Sequence, residues 1–367
     1  MSAVLKVLGS IRNANGDNPT NNQYYAPLLM AKQDGSYERP GGGLGGGSVG
    51  TGDYSYTGIF IHEAGHAFGM PHAGGAYDAG KYPYEGGSLQ GSSWGYDQSR
   101  ELFQPTFVPS TAYYYRDCQK STQKDDQGRC VKQDPMQGGS GYQAAGDKYT
   151  IFSDFNAAVV QRYAETRLEV PAGNSLHYRL WDAEREAYAP YADIPFNNSQ
   201  RNALYGFNRG LPEVRNVPVH TVVITHSNAS TGMTQIYPPL SYTGNLLKTI
   251  DPTDATELAS ITPNSGTYAW YCHASGCDYT LKVTYADNTS EHVVLQGAFR
   301  QWRWNADKPG EDFHPSAADP KSGHSFAQWG VNVDGSKKLR KLELLNTPKV
   351  YDGMPDAPEV LATWTAD

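Results

Sequence analysis

The sequence predicts an α+β protein of two domains, in which a histidine-bearing helix organises the first domain and an antiparallel β-sandwich forms the second. Three observations support this prediction. His62 and His66 stand at helical spacing within one short segment. Beyond residue 213, apolar residues recur with period two in short runs separated by turn residues. A chain of 367 residues with 38% hydrophobic content can bury two cores, and we expect domains at residues 1–212 and 213–367.

The chain begins with two segments that we expect to be strands, residues 5–12 and 24–31. Because the start lacks the charged head and long apolar core of a signal peptide, we interpret Met1 as the start of a piece cut from a longer precursor. No apolar run reaches the ~20 residues that cross a bilayer, so we expect no insertion into a membrane.

The charge of the chain argues against nucleic acid as a partner. The formal net charge is -8, and the most basic segment, residues 337–341, is short and flanked by acidic segments. We expect that segment to be a solvated strand or turn face. The 39 glycines, 23 prolines and 26 tyrosines are typical of turn-rich β structure in a secreted protein.

Residues 62–72 carry the strongest pattern in the chain. They read His-Glu-Ala-Gly-His-Ala-Phe-Gly-Met-Pro-His. On a helix, His62 and His66 lie one turn apart on the same face and can bind a single ion. Gly69 lets the chain leave helical geometry, so that His72 can supply a third ligand.

Three imidazoles leave the fourth position of a zinc ion open, which distinguishes a catalytic site from a structural one. Glu63 stands beside the first ligand and is placed to activate a zinc-bound water. We therefore predict one catalytic Zn²⁺ with Glu63 as the general base. The alternative is three satisfied histidines on a half-buried helix.

A glycine-rich run covers residues 40–52, just before this helix. It has two interpretations, a flexible linker or the sheet edge that faces the substrate in zinc proteases of this type. On the second interpretation, Gly45, Gly46 and Gly47 are candidate substrate-binding residues, because an edge bare of side chains admits a bulky substrate.

Aromatic residues follow the third histidine within a long Gly-, Tyr- and Ser-rich loop. Trp94 and Tyr96 are candidates for stacking on sugar rings or apolar side chains above a metal cleft. The alternative is that both side chains only pack the loop.

Met136 lies in a tight turn, Asp134-Pro135-Met136-Gln137-Gly138-Gly139. A methionine turn downstream of HExxHxxGxxH is the second hallmark of the metzincin zinc proteases, where it forms an apolar floor beneath the imidazoles. The alternative is an ordinary core methionine. Residues 154–168 have helical spacing and would form the closing helix, capped by Asp154. The first domain is therefore predicted to be metzincin-like.

The second domain contains five runs with strand character. They cover residues 217–225, 234–237, 267–272, 278–285 and 292–297. The tail keeps Trp302, Trp304 and Trp329, which we expect in the core or in packing between domains.

Four cysteines fall into two close pairs, Cys118 with Cys130 and Cys272 with Cys277. Neither spacing matches a zinc knuckle or a thioredoxin-type redox motif. Two local disulfides are the most economical interpretation, and free buried thiols are the alternative. Because disulfides require an oxidising compartment, we expect a secreted or cell-surface protein.

With these motifs in place, the chain resembles the StcE/TagA family of secreted bacterial mucin-degrading zinc metalloproteases, also called dictomallein-like. The resemblance is carried by residues 61–72, 93–97, 136–140 and 157–163. It implies that His62, His66 and His72 bind zinc and that Glu63 is the general base.

The resemblance also implies the substrate and the place of action. The substrates would be mucin-type O-glycosylated proteins, cleaved at peptide bonds beside glycosylated Ser or Thr. The protein would be extracellular and bacterial, with any cell-surface attachment made through regions outside this chain, and we expect a monomer.

Two alternatives to this function stay open. One is a zinc endopeptidase of broad, glycan-independent specificity. The other is a glycan-binding adhesin on an inactive protease scaffold, against which the presence of Glu63 together with all three histidines argues.

Overall fold

The computed structural model of the chain consists of two compact units. The first unit comprises residues 1–9, 21–168 and 180–189, and the second comprises residues 10–20, 169–179 and 190–367. The described residues are 1–54, 57–93, 96–97, 101–103, 106–108, 124, 126–137, 151–191, 210–230, 234–272, 275–301 and 312–366. Residues 169–179 belong to the second unit and residues 180–189 to the first, and the division at residue 212 stays a prediction.

Helices are short and few in the part of the chain that the structure describes. The α-helices there are α1 (Ser2–Ala14), α2 (Thr57–Ala67), α3 (Ala73–Asp78), α4 (Asp154–Glu165) and α5 (Ala255–Ser260). Short 3-10 helices lie at Glu85–Gly87, Pro315–Ala318, Gly323–Ser325 and Val350–Asp352. None of these described helices has the length and hydrophobicity that a membrane span requires.

Strands carry most of the regular structure. The earlier strands are β1 (Tyr24–Leu28), β2 (Met30–Ala31), β3 (Tyr37–Glu38), β4 (Gly43–Gly46), β5 (Val49–Asp53), β6 (Tyr96–Asp97), β7 (Leu102–Phe103), β8 (Phe107–Val108), β9 (Cys130–Val131), β10 (Arg179–Asp182) and β11 (Ala187–Pro190). The later strands are β12 (Val214–Ser227), β13 (Gln235–Ile236), β14 (Leu240–Leu246), β15 (Tyr279–Tyr285), β16 (Ser290–Leu295), β17 (Phe326–Asp334), β18 (Leu339–Asn346) and β19 (Glu359–Thr365). Sheets with few helices confirm the predicted α+β class.

The expected strand at residues 5–12 is wrong, because this segment lies within helix α1. Val4, Leu8 and Ile11 recur at helical spacing and are half-buried, so their period is that of a helix and not of a strand. The helix ends beside the buried Arg12, whose guanidinium binds backbone carbonyls of the following turn. The second expected segment is correct, since β1 and β2 both lie within residues 24–31.

The first unit contains a three-stranded sheet in the order β1-β5-β4. Strands β1 and β5 are parallel, with Tyr24 opposite Val49. Strand β4 is antiparallel to β5, with Leu44 opposite Thr51, and lies at the edge of the sheet. The glycine-rich run is therefore a paired hairpin at a sheet edge, as the second interpretation expected, and not a linker.

The closing helix is present as α4, but its cap is Ser153 and not Asp154. The hydroxyl oxygen of Ser153 accepts the N–H of Asn156 at 3.1 Å, which is the bond that an N-cap side chain makes. Asp154 is instead the first helical residue, and its carboxylate accepts the hydroxyl of Ser92 at 3.1 Å. Two adjacent residues that both favour caps explain the one-residue error.

The second unit contains two antiparallel sheets that share one hydrophobic cluster. The long strand β12 pairs with β17 along one side and with β14 and β13 along the other. The second sheet has the order β16-β15-β18-β19. The cluster takes Ile224 from the first sheet and Leu281 and Leu344 from the second, and Trp329 is buried in it. Trp302 and Trp304 lie outside the described residues.

One of the five predicted runs in this unit is wrong. Residues 267–272 form successive turns, with the N–H of Tyr271 donated to the carbonyl of Tyr268 at 2.8 Å. The turns follow Gly266, where a Cβ would overlap the backbone carbonyl of Ser260. The alternating aromatics imitate a strand in sequence, yet they pack on a second cluster around Cys272.

Cys272 and Cys277 are joined by a disulfide, as predicted, with their Cα atoms 5.1 Å apart. The bridge closes the turn immediately before β15. Cys130 is buried in β9, whereas Cys118 lies outside the described residues. The pairing of Cys118 with Cys130 stays a prediction.

Candidate metal centre

Helix α2 lies directly on the glycine strands of the first unit. A Cβ on Gly43 would stand 2.5 Å from Oε1 of Glu63, and a Cβ on Gly52 would stand 2.6 Å from Cγ2 of Ile59. A Cβ on Gly45 would overlap the backbone carbonyl of Glu63. Glycine is therefore required at these positions by the close approach of the helix. The close packing holds Glu63 against the edge of the sheet.

The other two candidate glycines have a different reason for their identity. Gly46 and Gly47 form the turn from β4 to β5 with φ angles of 145° and 59°, and a Cβ on either would meet no atom within 4 Å. Only the backbone conformation favours glycine there. The role of Gly45, Gly46 and Gly47 in substrate binding stays a prediction.

The structure brings the three predicted ligand histidines together. One nitrogen from each of His62, His66 and His72 lies within 4.8 Å of the others, and among the described residues this is the group that could hold a metal ion. Exposure rises along the group: His62 is buried, His66 is half-buried and His72 is exposed. The site therefore opens from the interior to the surface.

Backbone carbonyls fix the orientation of two of the rings. Nδ1 of His62 donates to the carbonyl of Pro135 at 2.6 Å, and Nδ1 of His66 donates to the carbonyl of Met70 at 2.7 Å. Each ring is thereby held in the tautomer whose Nε2 carries a lone pair. The two Nε2 atoms are 3.1 Å apart. Burial lowers the pKa of His62, which keeps it in the neutral form that a metal needs.

The C-terminal turn of α2 positions the carbonyl of Met70 that accepts the hydrogen bond from His66. Gly69 has a φ of 88°. Its N–H is donated to the carbonyl of His66 at 2.9 Å, and the N–H of Met70 is donated to that of Gly65 at 3.2 Å. This pair of bonds is a Schellman motif, which requires the left-handed conformation of Gly69. The turn places the carbonyl of Met70 against Nδ1 of His66, one turn earlier in the chain.

Met136 packs beneath the helix at Gly65. The methionine is fully buried, and a Cβ on Gly65 would overlap its sulfur. The glycine between the two helical histidines thus makes room for the methionine. The same turn carries the Pro135 carbonyl that binds His62, so one short segment both supports the helix and orients a ring.

Asp134 holds this turn in place and was not singled out in the sequence. Its carboxylate is buried and accepts the N–H of Met136 at 2.9 Å and the Nδ2–H of Asn156 at 3.0 Å through Oδ1. Oδ2 accepts the N–H of Ser153 at 2.8 Å and lies 3.3 Å from the hydroxyl of Tyr82. The bond to Met136 is an Asx turn, and the Asp-Pro dipeptide was the available sequence signal.

Glu63 is buried beside the histidines and borders an open cleft. Its burial raises the pKa of the carboxyl group to about 7. The cleft has a volume of about 420 Å³ and is bounded by Gly43, Leu44 and Gly45 on one side and by His66 and residues 69–72 on the other. A carboxyl group with a pKa near neutrality can both take up and release a proton.

Leu44 is a second residue that the sequence interpretation overlooked. It is exposed and lines the cleft, and it is the one side chain within the run Gly-Gly-Gly-Leu-Gly-Gly-Gly. That isolation among glycines was its sequence signal.

The two aromatic candidates are not brought into the site by the described structure. Trp94 lies outside the described residues. The backbone of Tyr96 forms β6 and pairs with Phe103 of β7. Their proposed role in substrate binding stays a prediction.

Known proteins resemble this chain along almost its whole length. Residues 1–169 match the model of the family described as Peptidase M66. Dictomallein of Burkholderia pseudomallei strain 1710b is 51% identical over 364 residues, which cover 98% of this chain and 52% of the relative. Dictomallein-3 of Dictyostelium discoideum is 44% identical over 364 residues, which cover 99% of this chain and 60% of the relative.

The chain spans about half the length of the Burkholderia relatives that it matches. The matched family model ends near the close of the first unit, within which the histidine group, Glu63 and Met136 all lie. The family description is that of a peptidase, and the site has the residues that a metal-dependent peptidase uses. Residues 1–169 of this chain therefore match the Peptidase M66 family, and the resemblance of the chain to the dictomallein-like proteases is borne out.

Proposed function

We propose that this chain is the catalytic part of a zinc endopeptidase, with a metzincin-like first unit and a β-sandwich second unit. The observation that carries the proposal is the convergence of three histidine nitrogens next to a buried glutamate on an open cleft. The donor set fits zinc, because two rings already present Nε2 lone pairs and the imidazoles leave a coordination position open. When bound, the zinc ion supplies Lewis-acid polarisation of the scissile carbonyl.

The edge strand gives the substrate backbone a place to bind. Strand β4 is paired with β5 on one side and borders the cleft on the other. An extended peptide can add to such an edge through main-chain hydrogen bonds. This binding places the peptide beside Glu63, because the carboxylate lies against Gly43.

Glu63 moves the proton in the proposed mechanism. Its carboxylate oxygen accepts a proton from the attacking water and returns it to the nitrogen of the leaving amine. Burial, which raises the pKa of the carboxyl group, supports this role because it makes Glu63 a stronger proton acceptor than an ordinary carboxylate. His62, His66 and His72 hold the metal and do not transfer the proton.

The proposed substrates are mucin-type O-glycosylated proteins, cleaved beside glycosylated Ser or Thr. The resemblance to the dictomallein-like family supports this substrate class. An edge strand that carries glycines around one exposed leucine also leaves space for a substituted residue. The Cys272–Cys277 disulfide supports secretion. We further propose that the protein acts as a monomer.

The deciding experiment compares one mucin-domain substrate before and after enzymatic removal of its O-glycans. The proposal expects cleavage of the glycosylated form, little cleavage of the bare form and no cleavage of either after treatment with a zinc chelator. Equal or faster cleavage of the bare form would identify a glycan-independent endopeptidase. Binding to the glycosylated form without turnover would identify an adhesin.

A further inference from the structure

Helix α3 begins directly after the third ligand, and its first N–H groups need acceptors. His72 is the N-cap residue, yet its side chain makes no capping bond. The N–H of Ala73 is donated to the carbonyl of Met136 at 2.9 Å, and the N–H of Gly74 is donated to Oε1 of Gln137 at 2.5 Å. The methionine turn therefore caps this helix from outside.

A second N-cap histidine, His314, shows how the ring behaves when no other side chain caps the helix. His314 is the N-cap of the 3-10 helix Pro315–Ala318, with φ of -54° and ψ of 136°. Its Nδ1 accepts the N–H of Ser316, two residues on, at 3.1 Å. His72 has nearly the same backbone, with φ of -58° and ψ of 126°, and the corresponding N–H is that of Gly74. At His72 this N–H is already bound by Gln137.

The surroundings of Gln137 are shaped to hold its amide at this point. A Cβ on Gly74 would stand 2.5 Å from Oε1 of Gln137, and a Cβ on Gly87 would stand 2.7 Å from the same atom. Two glycines thus leave the space that the side chain fills. The amide of Gln137 therefore fits between Gly74 and Gly87, which a loose surface contact would not require.

We propose that Gln137 is a positioning residue that caps α3 in place of the ring of His72 and so leaves that ring available to the metal. Without the amide, Nδ1 of His72 would turn to the N–H of Gly74, as Nδ1 of His314 turns to Ser316. A neutral imidazole has one nitrogen lone pair that can accept a hydrogen bond or bind a metal, so capping and metal binding would then compete for the ring of His72. The inference rests on the metal site of the proposed function but not on its substrate.

The test uses Zn²⁺ alone and three variants of the full chain. Gln137→Leu removes the acceptor at similar volume, and Gln137→Glu keeps an acceptor that a helix N-terminus favours. Gln161→Leu is the matched control, because Gln161 is exposed on α4 and its side chain bonds to Glu165 of the same helix. We expect zinc affinity, measured by competition with a chromogenic chelator, to fall about tenfold in Gln137→Leu and to stay near wild type in the other two.

Nitrogen NMR of the metal-free proteins provides a readout that a merely structural role would not move. In wild type, Nδ1 of His314 should show the signature of a hydrogen-bond acceptor and Nδ1 of His72 should not. In Gln137→Leu, Nδ1 of His72 should acquire that signature. The wild-type comparison needs no variant, so it decides the question even where Gln137→Leu fails to fold.

An acceptor signature at Nδ1 of His72 in wild type would overturn the inference, and so would either of two results from the variants. One is wild-type zinc affinity in Gln137→Leu with unchanged nitrogen shifts of His72. The other is an equal loss of affinity in Gln137→Leu and Gln137→Glu, which would show that the amide acts otherwise than as an acceptor. If wild type itself binds no zinc, the proposed function fails, and the NMR comparison of the two histidines still judges the capping role.

Discussion

His62 and His226 are both buried histidines whose pKa is lowered by burial, yet only the first belongs to a site. Nδ1 of His62 is held by a backbone carbonyl, so its Nε2 meets the Nε2 of His66. Nδ1 of His226 is 2.9 Å from the hydroxyl of Thr234, and its ring packs against Tyr279 and Phe299. Burial alone therefore does not make a histidine a candidate metal ligand. Its nitrogen lone pair must also lie close to those of other ligand residues.

The largest expected difference between the surroundings of His62 and those of His226 is in catalytic turnover. Glu63→Gln should lower kcat by about a thousandfold or more, because the amide can neither take up nor return the proton. Zinc affinity should stay close to that of wild type. His226→Gln is the matched control and should retain full turnover. Proteolysis by Glu63→Gln at the wild-type rate would remove Glu63 from the mechanism.

The next effect concerns Asp134, which holds the turn whose Pro135 carbonyl binds the ring of His62. Asp134→Asn should lower the free energy of unfolding by about 3 kcal/mol, since a buried carboxylate that accepts several hydrogen bonds is replaced by a group that is partly a donor. The new amide nitrogen would face N–H donors such as that of Ser153. Urea unfolding of the metal-free proteins measures this. An unchanged stability would show that the turn does not depend on Asp134.

A smaller effect is expected where Met136 meets the helix. Gly65→Ala should destabilise the first unit by about 2 kcal/mol, because the added methyl group overlaps the methionine sulfur. Gly9→Ala is the matched control, since a Cβ there would meet no atom within 4 Å. Combining Gly65→Ala with Met136→Ala should recover part of the loss. Strictly additive effects in that double-mutant cycle would contradict direct contact.

The smallest effect is a pH dependence of stability from His226. Because burial lowers its pKa in the folded state, the unfolded state binds the proton more readily. The contribution is complete above the ordinary pKa of 6.5 and is lost as the pH falls below it towards the lowered value. The stability difference between wild type and His226→Gln should therefore shift against wild type between about pH 7.5 and about pH 5. A difference that does not vary with pH would show that the pKa of His226 is the same in the folded and unfolded states.

The sequence was informative where spacing is local. His62, His66 and Glu63 follow from the period of one helix, and Met136 from a turn at a recognisable distance. The Asp-Pro dipeptide marks the turn at Asp134, but the bonds from Asp134 to Ser153 and Asn156 could not be found in this way, because these residues become neighbours only when the chain folds back. The same holds for the bond from Gln137 to Gly74. For the same reason, the glycines of β4 could be placed at a sheet edge, but their fit against Glu63 required the packed helix.

Errors in the fold arose where two patterns share the same residues. The apolar positions of α1 satisfy a helical period and, loosely, an alternating one, and the aromatics of residues 267–272 alternate although they occupy turns. The folded chain decides such cases, through the half-burial of Val4 and Leu8 at helical spacing and through the close approach of Gly266 to the Ser260 carbonyl. The four later strands that lie outside the predicted runs are β14, β17, β18 and β19.

The graded exposure of the three histidines sets an order of access to the site. His72 stands at the surface, His66 is half-buried and His62 lies in the interior. An entering ion would therefore meet the exposed ring of His72 first and the buried ring of His62 last. A competing chelator would attack from the same side, so the lifetime of the loaded site depends on how firmly α3 keeps His72 in place.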